Sequence, residues 1–181
     1  MKPVRAGIFW TGGCSPLSLG IRWFTRPGYR PGLAEVNHTG LVFCDGMGPQ
    51  EIHEALFSEG YCVKPFAKLA GFMSRPHTRV EFGWLPHGEA SVRTLYDESM
   101  SYVGWKSYAA DQIVAFMLCR SLLGRALHLT LDDDPTRVIC SEAVGRIVFE
   151  ALGLDLRETL TQSFDSLSPQ GTLDRWRGML H

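Results

Sequence analysis

Cys140 stands where a short β-branched run, Val138-Ile139, gives way to a helical pattern that continues through Ser141-Glu142-Ala143-Val144. A thiol at a helix N-terminus lies among unpaired backbone N–H groups and at the positive end of the helix dipole. Both favour the thiolate. The same N–H groups can hold the oxyanion that forms when a thiolate attacks a carbonyl. Cysteine is also among the most buried residue types, so a packed core residue is the competing reading. Position alone does not decide between them, because a cysteine nucleophile also needs a base.

His38, in the run Asn37-His38-Thr39-Gly40-Leu41-Val42, is the candidate base. Gly40 lies two residues on, on the same strand face, and leaves space beside the imidazole. The competing reading is a solvent-facing histidine at a strand end. A base needs an orienting partner, and the next strand offers two. Glu54 shares a face with Ile52 and Leu56, and a carboxylate on an apolar face calls for a cationic or donor partner. His53, on the opposite face with Glu51 and Ala55, is the alternative third member. Tyr108, expected in a loop before a helix, is considered as a second donor to the oxyanion. His77, His87, His128 and His181 have no partners at metal-ligand spacing, so neither a metal site nor a cofactor is expected.

These residues need a scaffold, and the apolar pattern outlines one. Residues 6–10 read as a strand ended by Gly12-Gly13, and Ser15-Pro16 then starts a helix with serine as N-cap. Pro27 to Glu35 reads as a loop. Strands are expected over 37–44 and 51–57, joined by an Asp45-Gly46 turn, and over 78–85. Helices are expected over 89–102 and 109–123, with a break at Asp132-Pro135. The last strong helix starts near Cys140, carries Ala143, Val144, Ile147, Val148, Ala151 and Leu152 on one face, and closes at Gly153. Without internal repeats or linkers, the chain reads as one α+β domain over 1–181.

Composition narrows the function classes. Basic residues number 18 and acidic 19, a net charge of -1, so no bulk field draws the chain to nucleic acid. Arg22, Arg26 and Arg30 alternate with aromatics, which reads as a helix end and loop with snorkelling arginines. The five cysteines are odd in number and lack a C-x-x-C pair, which points to reduced thiols and a cytoplasmic location. The apolar run before Thr11-Gly12-Gly13-Cys14 is too short for a signal peptide or lipoprotein signal. The apolar zone from Ile113 to Leu129 is interrupted by Arg120 and Arg125, so no transmembrane segment is expected.

The order of residues carries further information: histidine first, a carboxylate on the next strand, cysteine last at a helix start. This order resembles the circularly permuted branch of the NlpC-type papain-like cysteine hydrolases, which includes relatives of lecithin retinol acyltransferase. Asn37–Val42 resembles the histidine strand, Ile52–Ala55 the carboxylate strand, and Val138–Val144 the C-S-E nucleophile motif. The flanks Gly7–Trp10, Ile21–Arg26 and Leu167–Pro169 agree, so the resemblance spans most of the chain. It implies a permuted papain-like fold, a small antiparallel sheet packed against helices, with Cys140 as nucleophile, His38 as base and Glu54 as orienting residue. The N-C-E-H surroundings of the lipid acyltransferases are absent, and I-C-S-E stands in their place. That favours a cysteine hydrolase acting on an amide, a peptidase or amidase for bonds such as those of cell-wall peptides. Two other readings stand beside it. One is hydrolysis or transfer of an acyl ester, with Phe66, Phe72, Met73 and Trp84 along an acyl groove. The other is a binding module on the same scaffold. The expected partner is a peptide-like or acyl substrate. Many members of the branch reach the cell envelope, and delivery there stays open, as does the oligomeric state.

Overall fold

The computed structural model describes residues 2–24, 33–56, 58–85, 88–104, 107–108, 137–157, 164 and 167–180. Five strands form one sheet: β1 (Arg5–Gly12), β2 (His38–Asp45), β3 (Gly48–Leu56), β4 (Gly60–Pro65) and β5 (Arg79–Trp84). Their order is β4-β3-β2-β1-β5, and every pairing is antiparallel. The helices are α1 (Pro16–Phe24), α2 (Phe66–Met73), α3 (Glu89–Tyr102), α4 (Cys140–Leu152) and α5 (Pro169–Met179). A two-residue parallel pair, β6 (Ser107–Tyr108) with β7 (Arg137–Val138), precedes α4. The expected α+β architecture, a small antiparallel sheet packed against helices, is what the chain adopts.

The two faces of the sheet are covered by different helices. On one, Ile8, Trp10, Leu41, Phe43 and Ala55 join a core with residues of α3 and α4. Ala143, Val144, Ile147 and Val148 of α4 are fully buried there. Burial of each larger apolar side chain contributes about 1.5–3 kcal/mol. On the other face, Phe9, Val42 and Ile52 lie under Leu69 of α2. With both faces covered, β1 and the middle of β2 read as continuous apolar runs rather than as alternation.

Local signals are honoured where they were clear. Ser15 Oγ accepts from Ser18 N at 3.1 Å, capping α1. Gly153 ends α4 with φ 67°, its N–H donating to Phe149 O at 2.8 Å. Three elements depart from the sequence reading, which assigned nothing to β4, α2 or α5. Helix α2 is short, follows Pro65 directly and contains Gly71, so its period is hard to see. Helix α5 contains Gly171 and Gly178 and many polar residues, although Ser168 caps it and Pro169 occupies its first turn. The expected helix 109–123 and the break at Asp132-Pro135 lie outside the described residues, as does most of the Pro27–Glu35 loop. No helix among the described residues is long and apolar enough to cross a membrane.

Helix α5 anchors the segment that leads into β2. Gln170 Oε1 accepts from Glu35 N at 2.7 Å and Val36 N at 3.3 Å, and Thr172 Oγ1 accepts from the buried Trp10 Nε1 at 3.0 Å. A buried amide bound on both sides leaves the chain little freedom just before His38.

Candidate functional site

His38 is the first residue of β2, and the chain entering it is pinned. Asn37 N donates to Thr11 O at 2.9 Å, and Asn37 Oδ1 accepts from Gly13 N at 2.9 Å. Gly40 pairs with Glu54 across the β2–β3 ladder, which puts His38 and Glu54 on one face as diagonal neighbours. Their side chains meet, His38 Nε2 to Glu54 Oε2 at 2.8 Å. The space left by Gly40 is filled by Phe9. A Cβ at position 40 would fall 2.5 Å from the Phe9 ring, whose centroid lies 6.1 Å from that of His38. The glycine therefore admits a ring that supports the imidazole.

Cys140 opens α4. Ile139, at the N-cap in extended conformation, offers the first turn no side-chain acceptor. Glu142 compensates in part, with Oε2 accepting from Ile139 N at 3.4 Å and Oε1 from Arg146 Nε at 3.0 Å. Ser141 Oγ donates to Leu167 O at 2.7 Å in a buried bond that ties the helix start to the turn before α5. In the C-S-E run, the serine and glutamate thus hold the helix start in place. Cys140 is 5% exposed and is a free thiol.

Cys140 also acts on His38, first of all through its charge. Glu54 engages Nε2 of His38, which leaves Nδ1 as the other ring nitrogen. Burial alone would push the imidazole down. The charge and hydrogen bond of Cys140, followed by those of Glu54, outweigh it and raise the imidazole to about 10. Burial likewise pushes the Glu54 carboxyl up. The His38 bond and charge, with the Lys68 ammonium, reverse this and hold it below the usual carboxylate value.

The other sequence candidates lie elsewhere. His53 is fully buried on the opposite face of β3, with Nδ1 2.7 Å from Ser99 Oγ and its ring 4.6 Å from that of Phe43. Burial pushes it down to about 4. Glu54, and not His53, is the residue that reaches His38. Tyr108 lies in β6, paired with Val138, rather than in the expected loop, and its side chain is outside the described residues. Arg22 is structural, donating to Ala34 O at 2.5 Å and Gly13 O at 3.2 Å.

A cavity of about 290 Å³ opens between the sheet and α2 beside His38 and Glu54. Its apolar walls include Phe9, Ile52, Leu69 and Phe72. Of the residues expected along an acyl groove, Phe72 lines this cavity. Phe66 and Trp84 pack on the Phe9 cluster, and Met73 is 46% exposed. Lys68, on the cavity wall, was not singled out from the sequence; its Nζ lies 3.7 Å from Glu54 Oε1. No local pattern marks it, since β4 lies between it and Glu54 in the chain. Among the described residues, no group of three or more His, Cys, Asp or Glu side chains is gathered as a metal ion would require.

No family model matches the sequence, and no curated protein matches it. Among solved structures, the chain is similar to the metalloprotein yiiX from Escherichia coli O157:H7, with a TM-score of 0.61 and 17% identity. The match covers 96% of this chain and 93% of the other. At that identity the likeness concerns the fold.

Proposed function

We propose that this chain is a cysteine hydrolase of the permuted NlpC-type papain-like kind that cleaves an amide bond. The observation that carries the reading is the 2.8 Å bond from His38 Nε2 to Glu54 Oε2, on an imidazole that the charge of Cys140, at the start of α4, also raises. In this reading His38 takes the Cys140 thiol proton as general base, and Glu54 fixes the ring and supports its charge. The Cys140 sulfur attacks the substrate carbonyl carbon, and backbone N–H groups at the helix start receive the oxyanion. The tetrahedral intermediate collapses as the C–N bond breaks, and His38 gives its proton to the departing amine. His38 then takes a proton from water, which attacks the thioester, and returns it to sulfur as the acid product leaves.

One observation favours a second reading with the same residues. The apolar walls of the cavity beside His38 suit the chain of an acyl ester, which would be hydrolysed or transferred.

The test is the pH dependence of alkylation at Cys140 by iodoacetamide, with mass-spectrometric assignment of sites. Parent, His38→Ala and Glu54→Gln proteins are compared, and Cys14, Cys44 and Cys62 serve as internal references. Cys140 is expected to react fastest near neutral pH, and both substitutions to slow it there by about tenfold or more. Reaction at Cys140 no faster than at Cys44, with no effect of His38→Ala, would end the hydrolase reading. Amide and ester substrates offered to the reactive protein then separate the two chemistries.

A further inference from the structure

Lys68 occupies an unusual place. It lies in the first turn of α2, where the positive end of the helix dipole disfavours a cation and where acidic residues are absent. Pro65 at the N-cap supplies no side-chain bond to that turn. The neighbouring Leu69 is 4% exposed and anchors the helix on Phe9, Val42 and Ile52, so the position of Lys68 is set by packing. Its ammonium is directed at Glu54 Oε1, 3.7 Å away, while Glu54 Oε2 is bound to His38 at 2.8 Å. The carboxylate, 7% exposed, is therefore shared between two cations. A cation at the wrong end of a helix, facing the carboxylate that orients a histidine, is a local conflict of the kind that functional sites retain.

We propose that Lys68 is a positioning residue that sets the strength of His38 as a base. Its ammonium faces Oε1 of Glu54 while Oε2 is bound to the imidazole, and its charge limits how much of the carboxylate's field His38 receives. Without Lys68, Glu54 acts on His38 alone and the imidazole becomes more basic. The groups facing the pair are Cys140 from α4, Lys68 from α2, Arg75 beyond its end, and Cys62 of β4, which pairs with Glu54 in the ladder. Of these, Lys68 touches the carboxylate that touches the ring.

The inference rests on the catalytic reading above, and its test removes the thiol from the measurement. In Cys140→Ala protein, the titration midpoint of the His38 ring is followed by long-range proton–nitrogen NMR, with His38→Gln identifying the signal. Lys68→Met is expected to raise the midpoint by about half a pH unit, a modest value because Lys68 is 48% exposed and water screens it. Lys68→Arg restores the parent midpoint. Glu54→Gln in the same background lowers the midpoint and abolishes the effect of Lys68→Met. An unchanged or lowered midpoint in Lys68→Met, or equal values for Met and Arg, overturns the proposal. Poor thiol reactivity in the earlier alkylation test would sink the hydrolase reading and leave this shift to be read on its own.

Discussion

Gly40 offers the sharpest test of how the site is supported. In Gly40→Ala the new methyl would lie 2.5 and 2.6 Å from two atoms of the Phe9 ring and 2.7 Å from the backbone oxygen of His53. The ring cannot simply swing aside, because Phe9 is fully buried among Val42, Ile52 and Leu69. The carbonyl belongs to β3, one residue from Glu54, and is fixed by the ladder. Overpacking of this kind costs about 1–3 kcal/mol, and two rigid obstacles argue for the upper end. Removing a glycine from the unfolded chain offsets about 0.4–1 kcal/mol. A net loss of about 2 kcal/mol remains, which for a chain of this size lowers Tm by about 4–8 °C. Urea unfolding of Gly40→Ala, Phe9→Leu and the double variant forms a cycle. Leucine relieves the ring clash but not the carbonyl clash, so the coupling energy is expected at about 1 kcal/mol, with part of the cost persisting. A Gly40→Ala protein within about 0.5 kcal/mol of the parent, or a coupling of zero, would refute the argument that Phe9 fills this space.

Two further outcomes concern stability. Ser141→Ala removes the buried donor to Leu167 O, and the orphaned carbonyl makes the expected loss about 1–3 kcal/mol in urea unfolding, with the C-terminal helix loosening first in hydrogen exchange. His53 is held neutral by burial, with its imidazole pushed from 6.5 down to about 4. Its contribution is therefore fully present above about pH 6.5 and is lost as pH falls towards 4, by no more than about 3 kcal/mol. His53→Gln should flatten stability across that window, and an unchanged pH slope would contradict it.

The sequence made some features legible because they are local. The helix start at Cys140, its end at Gly153 and the serine cap of α1 each rest on residues a few positions apart, and they appear as read. The hairpin at Asp45-Gly46 was legible too, and it set β2 beside β3. Alternation also put Glu54 and His53 on opposite faces but could not say which face His38 shared, since that depends on ladder register. The role of Gly40 was half legible. Free space was evident, but its occupant, Phe9, comes from β1, and a pairing between distant strands leaves no local trace. Lys68 was illegible for the same reason, because the return of the chain through β4 into α2 carries it back to Glu54.

The threading of the chain has a consequence for timing. All five strands of the sheet precede α4, and neighbours β1 to β4 pair in antiparallel succession along the sheet. Antiparallel pairing of sequence neighbours closes short loops and forms early, whereas docking of α4 onto β2 closes a long one. During synthesis the imidazole and its carboxylate thus emerge, and can pair, well before the thiol leaves the ribosome. The serine beside that thiol is tied to a turn that is made later still. The proposed nucleophile consequently meets its base only after all five strands have been made, and a chain released before α4 would carry an unarmed site.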